Sequence, residues 1–394
     1  MKQVLTIVLC TFLALLPFQA FALTAEEIDA QVDAYFKKSY TTGGALAVIL
    51  GGEIVYTRYY GYQDSAQEIP VTENTYFRIA SVTKMVSGIG LMQLVEQGLL
   101  ELDADIGEYF GYEIANTYYQ STPITLRQIM SHTSSIRGEQ PGATKTVYST
   151  LAKAEKKHAY FLEYEPGSAY TYSNFAAGVA GAILEAVTGV SVNTYMYGTV
   201  FAPLSINAAY APSFLSEPDY IANLYNADGS RYRGTKTLLA EEYEDYADPE
   251  THYRTTVGSL WIRTGDLAKL TIALCGDGSV DGIRILSEES VLQMRDDQAS
   301  YQRSVTGESE YGLFLQHETT LIEGHDIYGH QGMCAGILCN VYFEPATGFG
   351  FVMLTNGCNN VLDNHVGVLS RRLFTYTYGS FVSGDAYQPY LVEE

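Results

Sequence analysis

Ser81 and Lys84 stand three residues apart in the run Phe77-Arg78-Ile79-Ala80-Ser81-Val82-Thr83-Lys84. On a helix that spacing places both side chains on one face, about one turn apart. A serine hydroxyl is a weak nucleophile at neutral pH and needs a base beside it. A lysine amine serves as that base only when its ammonium form is disfavoured, by burial or by the positive end of a helix dipole. The same dipole stabilises an alkoxide developing on Ser81. Ser-x-x-Lys at a helix start is therefore a nucleophile–base pair suited to acyl transfer. The plainer reading of these residues is a capping serine followed by a solvated lysine.

Two further stretches carry groups of use to such chemistry. Tyr170-Thr171-Tyr172-Ser173-Asn174 follows Pro166-Gly167 and opens a run of small apolar residues. A phenol such as Tyr172 can relay a proton if a neighbouring cation, Lys84 for example, lowers its pKa. The Asn174 amide can donate to a substrate carbonyl and also accept. Gly329-His330-Gln331-Gly332-Met333 opens a strand toward Cys334. Glycine in a strand lets another backbone approach closely. The N–H groups of Ser81 and Met333 could then form an oxyanion hole. Taken singly, each stretch has a plainer meaning: a Tyr-rich loop with a capping Asn in a chain of 33 Tyr, and a buried, satisfied imidazole.

The elements around these residues are readable from pattern. Gly44–Leu50 and Glu53–Tyr60 flank Gly51-Gly52, a hairpin signal. Near the other end, Ile337–Phe343 and Phe349–Leu354 are strand-like, and Pro345 to Gly348 makes the turn between them. Val361–Tyr376 has helical spacing, with Arg371 and Arg372 in its C-terminal half. Between these ends lie helices: Met85–Gln97, stopped by a left-handed Gly98; Thr125–Ser131; Asn174–Thr188, small and tightly packed; and one capped by Thr264 or Asp266 and running to about Leu274. Pro218–Tyr253, acidic and Tyr-rich, reads as a long surface excursion. The expected fold is an α+β sandwich. One antiparallel sheet is formed by both chain ends and flanked by helices, and a mostly helical lobe is inserted between them. The sheet lobe covers about 40–80 and 310–380, and the helical lobe about 85–309.

Composition bounds the rest. The 394 residues carry 23 Lys+Arg against 45 Asp+Glu, a formal charge of −22. Such an acidic surface repels phosphate backbones and anionic membranes, which argues against a nucleic-acid or polybasic membrane partner. With 47% hydrophobic and 17% charged residues, the chain is globular rather than disordered. Its length exceeds what one core usually supports, hence two interleaved lobes in residues 23–394. Met1–Ala22 reads as a secretory signal, with Lys2 before an apolar run and Ala20-Phe21-Ala22 as the cleavage pattern, so cleavage is expected after Ala22. The run is shorter than the ~20 residues of a membrane span, and Pro17 interrupts it. The mature protein is then secreted or periplasmic, without stable membrane insertion. Export leaves Cys275, Cys334, Cys339 and Cys358, which are either paired or free buried thiols. If Ala335 to Leu338 turns the chain, Cys334 and Cys339 can face each other across a hairpin. No CxxC or clustered His accompanies them, so no metal site is expected there.

Together the three stretches resemble the serine β-lactamase and penicillin-binding-protein superfamily, close to its class C branch of DD-peptidases, D-aminopeptidases and esterases. Phe77–Lys84 matches Ser-x-x-Lys, Tyr172-Ser173-Asn174 matches Tyr-x-Asn, and His330-Gln331-Gly332 matches Lys/His-x-Gly. Supporting runs are Leu94–Leu102, Ile124–Ser134 and Val200–Leu204, so the likeness spans about Ala45 to Asn356. The resemblance implies Ser81 as the acylated nucleophile and Lys84 as its proton acceptor. It implies that Tyr172 shares proton transfer and that Asn174 holds the acyl-side amide. His330 and Gly332 would bind substrate, and the Ser81 and Met333 N–H groups the oxyanion. It implies no cofactor and no metal. His132 reads as structural and Asp266 as a helix cap. A neutral His where β-lactamases usually have Lys should weaken recognition of a substrate carboxylate. The expected function is an exported D-Ala-D-Ala carboxypeptidase-like or D-amino-acid peptide hydrolase, acting on peptides such as peptidoglycan stems. The alternatives are an esterase or weak β-lactamase, or a sensor that is acylated without turnover.

Overall fold

The computed structural model describes residues 23–138, 145–153, 159–241, 243–303, 307–363 and 365–383. The expected signal segment lies outside them. The frame is a nine-stranded sheet. In chain order its strands are β1 (Gly43–Leu50), β2 (Glu53–Asp64), β3 (Ile69–Pro70), β7 (Ala299–Arg303), β8 (Gly307–Tyr311), β9 (Gln316–Glu318), β10 (Ile327–Cys334), β11 (Ile337–Glu344) and β12 (Phe349–Gly357). They lie in the order β7-β8-β9-β10-β11-β12-β1-β2-β3. Every neighbouring pair is antiparallel. The register sets Ala47 of β1 against Val352 of β12, so the two ends of the chain meet in mid-sheet as expected. Gly51 and Gly52 turn the first hairpin in left-handed conformations that a side chain would strain.

Helices cover both faces. On one face, α1 (Ala25–Lys38) and α6 (Val368–Tyr378) pack Val32, Phe36, Leu373 and Phe374 against Leu46, Phe351 and Met353. The sequence reading did not name α1, although Ile28, Val32, Tyr35 and Phe36 stand at helical spacing. The helix is set by a capping box, with Thr24 and Glu27 satisfying each other's backbone N–H. On the other face lies α2 (Val82–Glu96), buried all round through Leu94. Such a helix is a core element, not an amphipathic surface one. It ends where expected, at Gln97 and a left-handed Gly98. A smaller sheet anchors its start: β4 (Tyr76–Arg78), β5 (Ala208–Ala209) and β6 (Trp261–Arg263), in the order β4-β6-β5. Behind α2 sit α3 (Leu126–Met130), capped by Thr125 and Gln128, and α4 (Asn174–Thr188), capped by Ser173. Among the described residues, no single helix is long and apolar enough to cross a membrane.

Several expectations need correction. Asp266 lies in the first turn of α5 (Thr264–Cys275) but does not cap it: no side chain caps this helix, and the Asp266 carboxylate accepts from Asn207 N–H at 3.2 Å. The last helix starts at Val368, because Leu362-Asp363 pairs with Val366-Gly367 instead of coiling. Pro218–Tyr253 is no mere excursion: Ile221, Leu224, Tyr225 and Tyr253 are core residues. Ala335-Gly336 does turn β10 into β11, but it places Cys339 opposite Gly332 and Cys334 opposite Ile337. The two cysteines therefore do not face each other, and all four thiols are free.

Candidate active site

β4 delivers the chain to Ala80, whose φ of +46° is a strained value for a residue with a side chain. Ser81 follows at the N-cap position of α2, but with helical angles, and its side chain makes no capping bond. The plainer reading of Ser81 as a cap therefore fails, and the half-buried hydroxyl is left for other partners. Lys84, one turn on, is fully buried. Its Nζ lies 3.1 Å from Ser81 Oγ, 2.9 Å from Asn174 Oδ1 and 2.8 Å from the Val257 carbonyl. The two carbonyl oxygens can only accept, whereas a hydroxyl can donate or accept. A neutral amine therefore fits by giving two N–H groups to the carbonyls and its lone pair to the Ser81 proton. An ammonium fits by donating to all three. Burial pushes the Lys84 pKa down to about 7, so both forms are accessible near neutrality.

Tyr172 closes the other side. Lys84 Nζ sits 5.0 Å from the centre of its ring. Burial raises the Tyr172 pKa, and a hydrogen bond with Ser81 offsets this only in part. The expectation that a cation lowers this phenol is overturned: Lys84 is itself a depressed base, and desolvation dominates. Tyr172 is a proton donor here, not a resident phenolate.

His132, read from sequence as structural, packs directly beneath it. The His132 and Tyr172 rings are 4.2 Å apart, and Nδ1 accepts the Ser173 N–H at 3.2 Å. Burial, followed by the charges of Lys84 and His330, holds the His132 pKa well below its usual value, so the ring stays neutral. Accepting at Nδ1 fixes its proton on Nε2.

β10 forms the far wall. A side chain at Gly332 would place its first carbon 2.2 Å from the Ile79 carbonyl and 3.1 Å from Ser81 N, so only glycine allows this strand to meet the start of α2. Met333 is exposed beside it. His330 is 1% exposed, and both ring nitrogens are engaged: Nδ1 lies 2.7 Å from the Gln331 carbonyl and Nε2 3.0 Å from the Tyr311 hydroxyl. The structure thus brings together Ser81, Lys84, Tyr172, Asn174, His330, Gly332 and Met333. The sequence reading missed the Val257 carbonyl and Tyr311. Nothing local marks either one, since a carbonyl carries no residue signature and Tyr311 is one of 33 tyrosines.

Comparison with known proteins identifies the family and the fold. The family model described as Beta-lactamase matches residues 28–367. The chain is 30% identical over 220 residues to the D-alanyl-D-alanine-carboxypeptidase/endopeptidase AmpH of Escherichia coli (strain K12), covering 54% of this chain and 56% of that protein. It spans about half the length of the curated relatives it matches. Among solved structures, the octameric penicillin-binding protein homologue from Pyrococcus abyssi superposes with a TM-score of 0.71 at 20% identity, over 93% of this chain and 79% of that one. A class C beta-lactamase mutant superposes with a TM-score of 0.70 at 18% identity, over 90% and 99%. The fold is therefore that of β-lactamases and transpeptidases.

Proposed function

Because the chain belongs to the beta-lactamase family, whose members are serine hydrolases, we propose that it hydrolyses D-amino-acid-containing peptides through an acyl-enzyme on Ser81. The observation that carries this is the position of Lys84 Nζ between two carbonyl acceptors and the Ser81 hydroxyl. In acylation, Ser81 Oγ bonds to the substrate carbonyl carbon as its proton passes to neutral Lys84. The N–H groups of Ser81 and Met333 receive the oxyanion. Collapse expels the leaving amine, which takes a proton from the Tyr172 phenol, and the phenol is reprotonated from Lys84. Deacylation runs the same transfers on water. Asn174 gives its oxygen to Lys84, which leaves its NH₂ to donate to the acyl-side carbonyl.

Relatedness to a D-alanyl-D-alanine-carboxypeptidase/endopeptidase supports a peptide such as a peptidoglycan stem as substrate. One observation favours a second reading, a small acyl ester: His330 spends both ring nitrogens on the Gln331 carbonyl and the Tyr311 hydroxyl, so the ring is not directed at a substrate carboxylate. Export through Met1–Ala22 would place either reaction outside the cytoplasm, and N-terminal sequencing of the secreted chain tests it.

The deciding experiment is a hydrolysis panel of D-Ala-D-Ala peptides, D-aminoacyl amides, short acyl esters and a chromogenic cephalosporin, with Ser81→Ala as blank. Turnover of the peptides that disappears in Ser81→Ala supports the proposal. Turnover of esters alone moves the assignment to an esterase. A stable adduct without product points to a sensor. Unchanged activity and probe labelling in Ser81→Ala overturns the mechanism.

A further inference from the structure

Away from the catalytic serine, β8 and β9 hold a second group of chemically capable side chains. Glu310 and His317 are direct cross-strand partners, so their side chains leave the sheet together. Asp297 reaches them from the segment before β7. His317 Nδ1 lies 2.9 Å from Asp297 Oδ2 and 3.3 Å from Glu310 Oε2, and one ligand atom from each of the three residues falls within 4.8 Å of the others. The opposite ring nitrogen, Nε2, lies 3.0 Å from Asp326 Oδ1. Tyr328 stacks on the imidazole at 4.5 Å and 18°. The ring is 6% exposed with its residue and is held on two sides.

This arrangement has the parts of a metal site. Histidine ligands of metals commonly donate their second ring N–H to a carboxylate, which fixes the tautomer and turns the other nitrogen toward the ion. Asp326 stands in that position. Two carboxylates, Asp297 and Glu310, face the same ring nitrogen, Nδ1, and a third, Asp326, faces the other. Among the described residues, no Lys or Arg forms an ion pair with Asp297, Glu310 or Asp326. A divalent ion held between Nδ1 and the two carboxylates would offset their mutual repulsion. Asp297 also lines an open groove of about 890 Å³, so this ligand is reached from solvent.

We propose that Asp297, Glu310 and His317 bind a divalent transition-metal ion, with Asp326 orienting His317 from behind. One nitrogen and two carboxylate ligands suit Zn²⁺ or Mn²⁺ better than Mg²⁺, which favours all-oxygen sites. The site lies one residue along β8 from Tyr311 and is independent of the acyl-transfer reading.

The test is calorimetric titration of the purified, untagged, EDTA-treated chain with Zn²⁺ and, separately, Mn²⁺ and Mg²⁺. Expected is one saturable Zn²⁺ or Mn²⁺ site per chain. Affinity should fall at least tenfold in Glu310→Gln and His317→Ala, fall about 10- to 100-fold in Asp326→Asn, and stay unchanged in the surface control His365→Ala. Circular dichroism checks that each variant is folded. If His317→Ala does not fold, Asp297→Asn, altered at an exposed side chain, takes its place. Absence of saturable binding, or equal affinity in the wild type and the cluster variants, overturns the proposal and leaves His317 as the centre of an ion-pair cluster.

Discussion

In the proposed mechanism Lys84 can act as a base only because its surroundings disfavour its charge. A lysine inside a helix that is buried all round loses the hydration that normally favours its ammonium, and its pKa falls from 10.5 to about 7. The proton it must accept therefore finds a free lone pair near neutral pH. We expect kcat/KM to rise with pH through a midpoint of about 7, measured on the best substrate of the panel. Stability follows the same sign. Between about 7 and 10.5 the unfolded chain holds a proton on Lys84 that the folded chain does not, so unfolding free energy increases with pH across that window. Lys84→Arg keeps a cation that cannot deprotonate, and it should lower kcat/KM by about 10²- to 10⁴-fold with the acid limb abolished. Of the site, the pair Ser81 and Lys84 was legible in sequence because its spacing is local and fixed by one helix. His132 and Tyr311 were not. Their roles arise from contacts with Tyr172 and His330 across 40 and 19 positions of chain, and such contacts leave no periodic mark.

The small residues of α4 matter for what they admit. A side chain at Gly178 would place its first carbon 1.6 Å from the Tyr253 carbonyl, and one at Gly181 would meet Thr256 at 2.6 Å. The segment from Tyr253 to Gly258 thus lies directly on the helix, and that contact sets the Val257 carbonyl against Lys84. The sequence revealed a tightly packed helix here but not its partner, since small residues declare close approach without saying to what. Gly178→Ala should cost about 1–3 kcal/mol of stability by overpacking. It should also lower kcat and shift the acid limb of the pH profile, because a displaced Val257 removes one of the two acceptors that orient the Lys84 lone pair. If urea denaturation shows the loss of stability while kcat and the pH profile stay unchanged, the carbonyl is not a positioning group. At Gly332 the strand glycine was expected to admit a backbone such as a substrate's, and the element packed there proved to be the start of α2.

At the scale of the molecule, the site depends on a sheet that neither end of the chain completes alone. β1 lies between β12 and β2, so the N-terminal hairpin is an edge until the last strands arrive. β10 carries Gly332 and His330, and β4 leads into Ser81, so the two walls of the site come from opposite ends of the chain. The central strands were readable from apolar, β-forming runs and turn residues, and their meeting was anticipated. The seal over them was read less fully: α1 was not named despite its stripe of Ile28, Val32, Tyr35 and Phe36, and α6 begins later than its pattern suggested. That seal is aromatic. Phe374 packs its ring 5.5 Å from Phe349 and Phe351 and 5.8 Å from Tyr342, touching both β11 and β12, while Tyr376 meets Tyr35 of α1 at 5.8 Å. Removing a buried phenylalanine typically costs about 3–5 kcal/mol, a large share of the roughly 5–15 kcal/mol that holds a domain together. Phe374→Ala should therefore lower the urea midpoint sharply while leaving kcat of the folded fraction close to wild type, because Phe374 touches none of the catalytic groups. If the two ends form one cooperative unit, tyrosine fluorescence, far-UV circular dichroism and residual activity should be lost in a single coincident transition in both proteins. Activity lost at a lower urea concentration than secondary structure would instead show that the two walls of the site separate before the sheet unfolds.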